Sequence, residues 1–147
     1  MKADVTSLEY TMHMIFRLPF PPSVNTYWRN YRGRMVLSAR GRDYKKKVYE
    51  DLSGERTFLK TPLAGRLRVV VDIYVPDKRR RDIDNCAKAL LDAIGDAEIY
   101  EDDSQIDELL LRRAPIDRPD GHVMIFIEEL TVVGRLTRFI RKCGIWR

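Results

Sequence analysis

Asp82 and Asp84 stand two residues apart and directly follow four consecutive cations, Lys78, Arg79, Arg80 and Arg81. Like charges in a block repel one another, so such a run marks either a solvated loop, capped by an acid at a helix start, or a place built to receive an anion. Basic residues that hold a phosphate beside carboxylates that hold a divalent cation are what phosphodiester hydrolysis requires. Mg2+ takes hard oxygen ligands and keeps several waters, so a few carboxylates suffice. In extended backbone, positions i and i+2 point the same way and lie roughly 6.5 Å apart. Both acids therefore reach one ion provided Asp82 precedes the helical turn.

Lys88 lies four residues after Asp84, on the same helix face. It forms either a surface ion pair with Asp84 or a cation aimed at the scissile phosphate or its leaving oxygen. The turn Glu101-Asp102-Asp103-Ser104-Gln105 offers a third acid, and one of Asp102 or Asp103 would complete a carboxylate triad. Acids in turns otherwise act as solvated caps. With only His13, His122, Cys86 and Cys143, and no CxxC pair, a zinc site is disfavoured and a disulfide framework is excluded.

A second basic stretch interleaves Tyr27, Trp28 and Tyr31 with Arg29, Arg32 and Arg34. Exposed aromatic rings stack on unpaired bases or wedge between base pairs while arginines meet phosphates. The competing reading is a hairpin around Gly33 with its rings folded inward. The candidate DNA-binding set is thus Arg79, Arg80, Arg81, Arg29, Arg32, Arg34, Tyr27 and Trp28.

These residues need a frame. Met14 to Phe20 reads as a strand ended by prolines, and Ser23 to Arg34 as a loop. Asp43 to Leu52 reads as a helix with Tyr44, Val48 and Leu52 on one face, stopped by Ser53-Gly54. Arg66 to Val75 is a long β-branched strand ended by Pro76. A second helix runs from Asp84 or Asn85 through Ile94, with Ala87, Leu90, Leu91 and Ile94 inward and Gly95 after it. Ile106–Arg113 and His122–Leu130 read as two further strands joined as a hairpin. The order β-α-β-α-β-β predicts an α+β fold, a small mixed β-sheet with two main helices packed on it.

The 147 residues suit one domain, with residues 1–13 as an N-terminal extension, 14–131 as the folded unit and 132–147 as a basic C-terminal tail. The tail carries Arg135, Arg138, Arg141, Lys142 and Arg147 and no acid. A net charge of +5 favours a polyanionic partner, and a composition 44% hydrophobic and 33% charged is that of a soluble globular chain. No apolar run of about 18 residues is present, so no membrane partner is expected. The start lacks a secretory leader pattern, making the cytoplasm the default compartment.

Taken in order, these residues resemble the RusA family of Holliday-junction resolvases (crossover junction endodeoxyribonucleases), common in phages and prophages. The resemblance rests on Leu18-Pro19-x-Pro21-Pro22-Ser23-x-Asn25, Arg32-Gly33-Arg34 with Ser38, and Pro76-Asp77-x-Arg79-Arg80-Arg81-Asp82-x-Asp84-Asn85-x-x-Lys88. Leu91-Asp92-Ala93 and Asp102-Asp103-x-Gln105-Ile106 complete it, over roughly residues 14–130. It implies a homodimeric, Mg2+- or Mn2+-dependent endonuclease for branched DNA that nicks two opposing strands of a four-way junction, in recombination and repair. It also implies catalytic Asp82, Asp84, Lys88 and Asp103, the three aspartates as metal ligands, and it selects Asp103 over Asp102. Arg81 falls where an important basic residue is expected. Two other readings stand beside this one: a basic nucleic-acid-binding domain without catalysis, which leaves the carboxylates unexplained, and a branched or flap DNA nuclease using the same site.

Overall fold

The computed structural model describes residues 13–130; the tail 132–147 and all but the last residue of the 1–13 extension lie outside the described residues. Four strands form the main sheet in the order β1-β6-β4-β5: β1 His13–Pro19, β4 Leu67–Tyr74, β5 Ile106–Arg113 and β6 His122–Glu129. β4 pairs parallel with β5 and antiparallel with β6, and β6 pairs antiparallel with β1, so the sheet is mixed and the fold is α+β as the sequence predicts.

Strand period sets the layers. Leu67, Val69, Val71 and Ile73 of β4 and Val123, Ile125 and Ile127 of β6 are buried, beside Met14, Phe16 and Leu18 of β1. The register aligns Phe16, Ile125 and Val71 across three strands, which makes one continuous apolar face. Two helices supply the other half of this core: α2 (Ala39–Asp51) through Tyr44 and Val48, and α4 (Ala87–Asp96) through Leu90, Ala93 and Ile94. Among the described residues no helix is long and apolar enough to cross a membrane.

Four sequence expectations are corrected. β5 and β6 are not a hairpin, because β4 lies between them. A strand as buried as β4 must satisfy both hydrogen-bonding edges, and the connection follows it past its end, with Ala114 and Asp117 N–H donating to Ile73 and Val75 carbonyls. The crossing closes at Gly121, with φ +68°, where an added Cβ would lie 2.5 Å from the Tyr74 carbonyl oxygen. The Ser23–Arg34 stretch is not simply a loop: it forms α1 (Val24–Tyr27) and a hairpin of β2 (Trp28–Tyr31) and β3 (Arg34–Leu37) around Gly33. Ser53-Gly54 does not stop the helical chain either, since α3 (Ser53–Leu59) follows Leu52 directly. The first main helix also starts earlier than the apolar period shows, because the Ser38 hydroxyl caps it by accepting the Gly41 N–H at 3.0 Å.

Candidate active site and nucleic-acid interface

Past the end of β4 the chain folds back on itself around Asp77. This carboxylate accepts the Arg79 backbone N–H at 2.8 Å and both terminal nitrogens of Arg81, at 2.5 and 2.9 Å. The Arg81 hydrogen bonds, then the Arg79 N–H, hold the Asp77 carboxyl well below the usual carboxylate range. Arg113 adds a bond to the Arg81 carbonyl oxygen at 2.6 Å. Arg81, a candidate phosphate ligand in the sequence, is therefore already committed to a bidentate pair. Arg79 and Arg80 are exposed, and Arg79 comes no closer than 3.8 Å to Asp77.

Asp82 then leaves this clip in extended conformation, with φ −83° and ψ 133°, and stands at the N-cap of a 3₁₀ turn, Ile83–Cys86, that leads into α4. Asp84 lies inside that turn, so the extended i, i+2 spacing expected of the pair holds at Asp82 and not at Asp84. Both carboxylates are exposed, and neither has a hydrogen-bond or ion-pair partner among the described residues. The Cys86 thiol is buried, donates to the Ile83 carbonyl oxygen at 3.2 Å and has its pKa pushed up to about 11 by burial, which makes it an inert packing group.

Lys88 does not pair with Asp84. The 3₁₀ turn breaks the α-helical phase between them, and Lys88 meets Asp92 at 2.7 Å and, across the turn, Asp103 at 3.2 Å. The hydrogen bond to Asp92, then that to Asp103, raises the Lys88 pKa and keeps it an ammonium. Asp92 carried no role in the sequence-based expectation; its i+4 spacing from Lys88 is the signal that points to it.

The two neighbouring acids of the turn are separated by their hydrogen bonds. Asp102 accepts the Ser104 N–H at 2.8 Å while the Gln105 side chain accepts the Asp102 N–H at 2.8 Å, a capping box that occupies Asp102 and lowers its pKa. Asp103 is left to face Lys88. Buried Gln105 fixes the turn by donating to the Leu63 and Gly65 carbonyls, each at 2.8 Å, and the Tyr100 hydroxyl ties it to α4 through the Leu91 carbonyl at 2.7 Å.

The hairpin splits its aromatics. Tyr27 is 0% exposed, beneath Gly41 of α2, where a Cβ would lie 2.9 Å from its carbonyl oxygen, so Tyr27 is a core residue and not a stacking platform. Trp28 is half-buried, edge-on to Tyr27. The exposed ring is Tyr31, with the Arg29 and Arg32 guanidinium groups 5.5 and 5.3 Å from its centre, and Arg34 stands exposed beside them.

Among the described residues, no three His, Cys, Asp or Glu side chains converge closely enough to hold one metal ion. Mg2+ is commonly bound through one or two carboxylates, with water and substrate phosphate completing its shell. Asp82 and Asp84 fit that role by chemistry, as exposed hard-oxygen donors with no competing cation.

Residues 19–128 match the family Endodeoxyribonuclease RusA. The chain belongs to that family. The RusA match runs from the end of β1 almost to the end of β6, and so spans every residue of this site. Among curated relatives, the crossover junction endodeoxyribonuclease of Enterobacteria phage HK97 is 40% identical over 118 residues, covering 80% of this chain and 96% of its own. That of Enterobacteria phage 82 is 35% identical over 113 residues, covering 77% and 92%. The Escherichia coli K12 enzyme is 34% identical with the same coverage of 77% and 92%.

Proposed function

We propose that this endonuclease acts on four-way DNA junctions as a homodimer, using Mg2+ or Mn2+ and making paired, symmetric nicks in recombination and repair. The observation that carries the reading is the pair of exposed, unpartnered carboxylates, Asp82 and Asp84, between the Arg79–Arg80 cations and the Lys88–Asp103 pair. Acids left open on a phosphate-binding face would repel DNA unless a cation neutralises them, which separates this reading from a purely binding domain. The names of the relatives, crossover junction endodeoxyribonucleases, support the substrate.

Asp82 and Asp84 would hold the ion, with water and substrate phosphate completing its shell while Asp103 stays on Lys88; when bound, the ion supplies an activated water and a polarised phosphate. Arg79, Arg80 and the Arg29, Arg32 and Arg34 hairpin hold the backbone on either side. Lys88, kept charged by Asp92 and Asp103, places an ammonium where negative charge grows on the departing oxygen. A two-fold dimer would match the symmetry of the junction and set two such sites on opposing strands.

The test offers the purified protein a labelled four-way junction, a flap and a linear duplex of the same sequence, with Mg2+, Mn2+ or EDTA. Paired, metal-dependent nicks in the junction alone are the expected result. Equal binding with no cutting under any metal would leave a binding domain, and preferential flap cutting would reassign the substrate.

A further inference from the structure

Beside Asp82 a cleft of about 610 Å³ opens between the Phe20–Thr26 segment and the 76–86 loop. Phe20, Pro21 and Pro22 form part of its wall, and Asn25, Asn85 and Arg40 also line it. Asp82 lines it, whereas Asp84, Lys88 and Asp103 do not, so it lies to one side of the reacting carboxylates. Its volume is that of an ordinary small-ligand pocket, about 300–1,000 Å³.

Some of the polar groups around it are engaged, as Asp77 is with Arg81 and Arg113 with the Arg81 carbonyl, and others are open. Asn25, Asn85, Arg40 and Arg80 have no side-chain hydrogen-bond or ion-pair partner among the described residues, while their neighbour Arg81 is fully engaged by Asp77. A primary amide carries both a donor and an acceptor and so matches a base edge two bonds at a time; an arginine matches a phosphate.

We propose that this cleft is a nucleotide subsite: it takes one unpaired deoxynucleotide flanking the scissile phosphate, with Asn25 and Asn85 on its base edge and Arg40 and Arg80 on its phosphate. The inference rests on the nuclease reading above and adds a source of base selectivity to it. Extruding a nucleotide costs least where pairing is already interrupted, as at a branch point, so the subsite also favours branched over continuous duplex DNA.

A protein–DNA mutant cycle tests it. Junctions carry an abasic site at the nucleotide on each side of the nick in turn, and are cut by the wild-type protein, by Asn25→Ala/Asn85→Ala and, as a second exposed handle, by Arg40→Ala. At one of the two positions the wild type is expected to nick the abasic junction about tenfold more slowly than the intact one, a loss of the size of one good base contact. The double variant is expected to nick both at the same reduced rate. Arg40→Ala is expected to weaken binding to intact and abasic junctions alike. Full abasic sensitivity in a folded double variant, or no sensitivity at either position in the wild type, overturns the subsite while leaving the nuclease intact. Should the wild type cut nothing, the nuclease reading falls, and the same cycle read as junction affinity with Ca2+ still decides the subsite.

Discussion

The sheet and the hairpin treat their arginines in opposite ways. On and beside the strands most meet a carboxylate: Arg66 pairs with Asp107, Arg68 with Glu108 and Glu128 at 3.4 and 3.7 Å, and Arg112 with Asp72 at 2.5 Å, while Arg113 donates to the Arg81 carbonyl oxygen. In the hairpin, at the start of α2 and in the loop after β4, Arg29, Arg32, Arg34, Arg40 and Arg80 meet none among the described residues. The acids divide the same way, since Asp82 and Asp84 stay open although Arg80 is two residues from Asp82. A fold arranged only for its own stability would pair these groups. Leaving both signs open side by side is what an incoming phosphate and its counter-cation would use.

Removing the open acids should have the largest effect. Asp82→Asn or Asp84→Asn is expected to lower single-turnover junction nicking by about 10³-fold with junction affinity within a few-fold. Asp72→Asn on the paired face should leave nicking unchanged. Nicking by Asp82→Asn at the wild-type rate would erase the distinction between the two regions.

Lys88 is the intermediate case, a paired cation at the open end. Lys88→Gln is expected to cut the nicking rate at saturating DNA by about tenfold to a hundredfold with little change in affinity, and Lys88→Arg to recover part of it. Equal losses of rate and affinity would make Lys88 a simple phosphate anchor. Asp92→Asn, which leaves Asp103 in place, should act in the same direction but more weakly.

The arginines themselves give a smaller, graded effect. Each of Arg29→Ala, Arg32→Ala and Arg34→Ala should weaken junction binding a few-fold and lower the slope of log K against log salt by about one for every phosphate that is no longer neutralised. Arg66→Ala and Arg112→Ala should leave that slope unchanged. Similar slopes for both groups would mean that local pairing does not decide which cations DNA sees.

The same division governs what could be read from the chain. The main strands and helices were legible because burial imposes periods of two and 3.6 on residues such as Leu67–Ile73 and Tyr44–Val48. The basic run and its carboxylates were legible because open charges break the usual interspersion. Topology was not: the residues of β5 and β6 read the same whether the strands pair with each other or flank β4, and only β4's two buried edges decide. The burial of Tyr27 was hidden because it depends on the missing side chain of Gly41, fourteen residues on. That Lys88 does not meet Asp84 was hidden because a 3₁₀ turn shifts the helical phase at Cys86, whereas Asp92, at i+4 within the same helix, was open to reading.

Asp77 gives the smallest effect and the sharpest test of the boundary, because it pairs one arginine of an otherwise open run. Its carboxyl is depressed first by Arg81, so it contributes stability that is fully present above the ordinary carboxylate pKa of about 3.9 and is lost as pH falls through its lower folded value. Asp77→Asn should therefore be less stable than wild type to urea at pH 7, and the gap should narrow progressively as pH falls below about 4. Arg81 would then be released beside Arg80, and junction affinity at low salt should rise slightly rather than fall. A drop in affinity would mean that the clip shapes the loop for DNA, and that pairing an arginine on this face is itself part of the site.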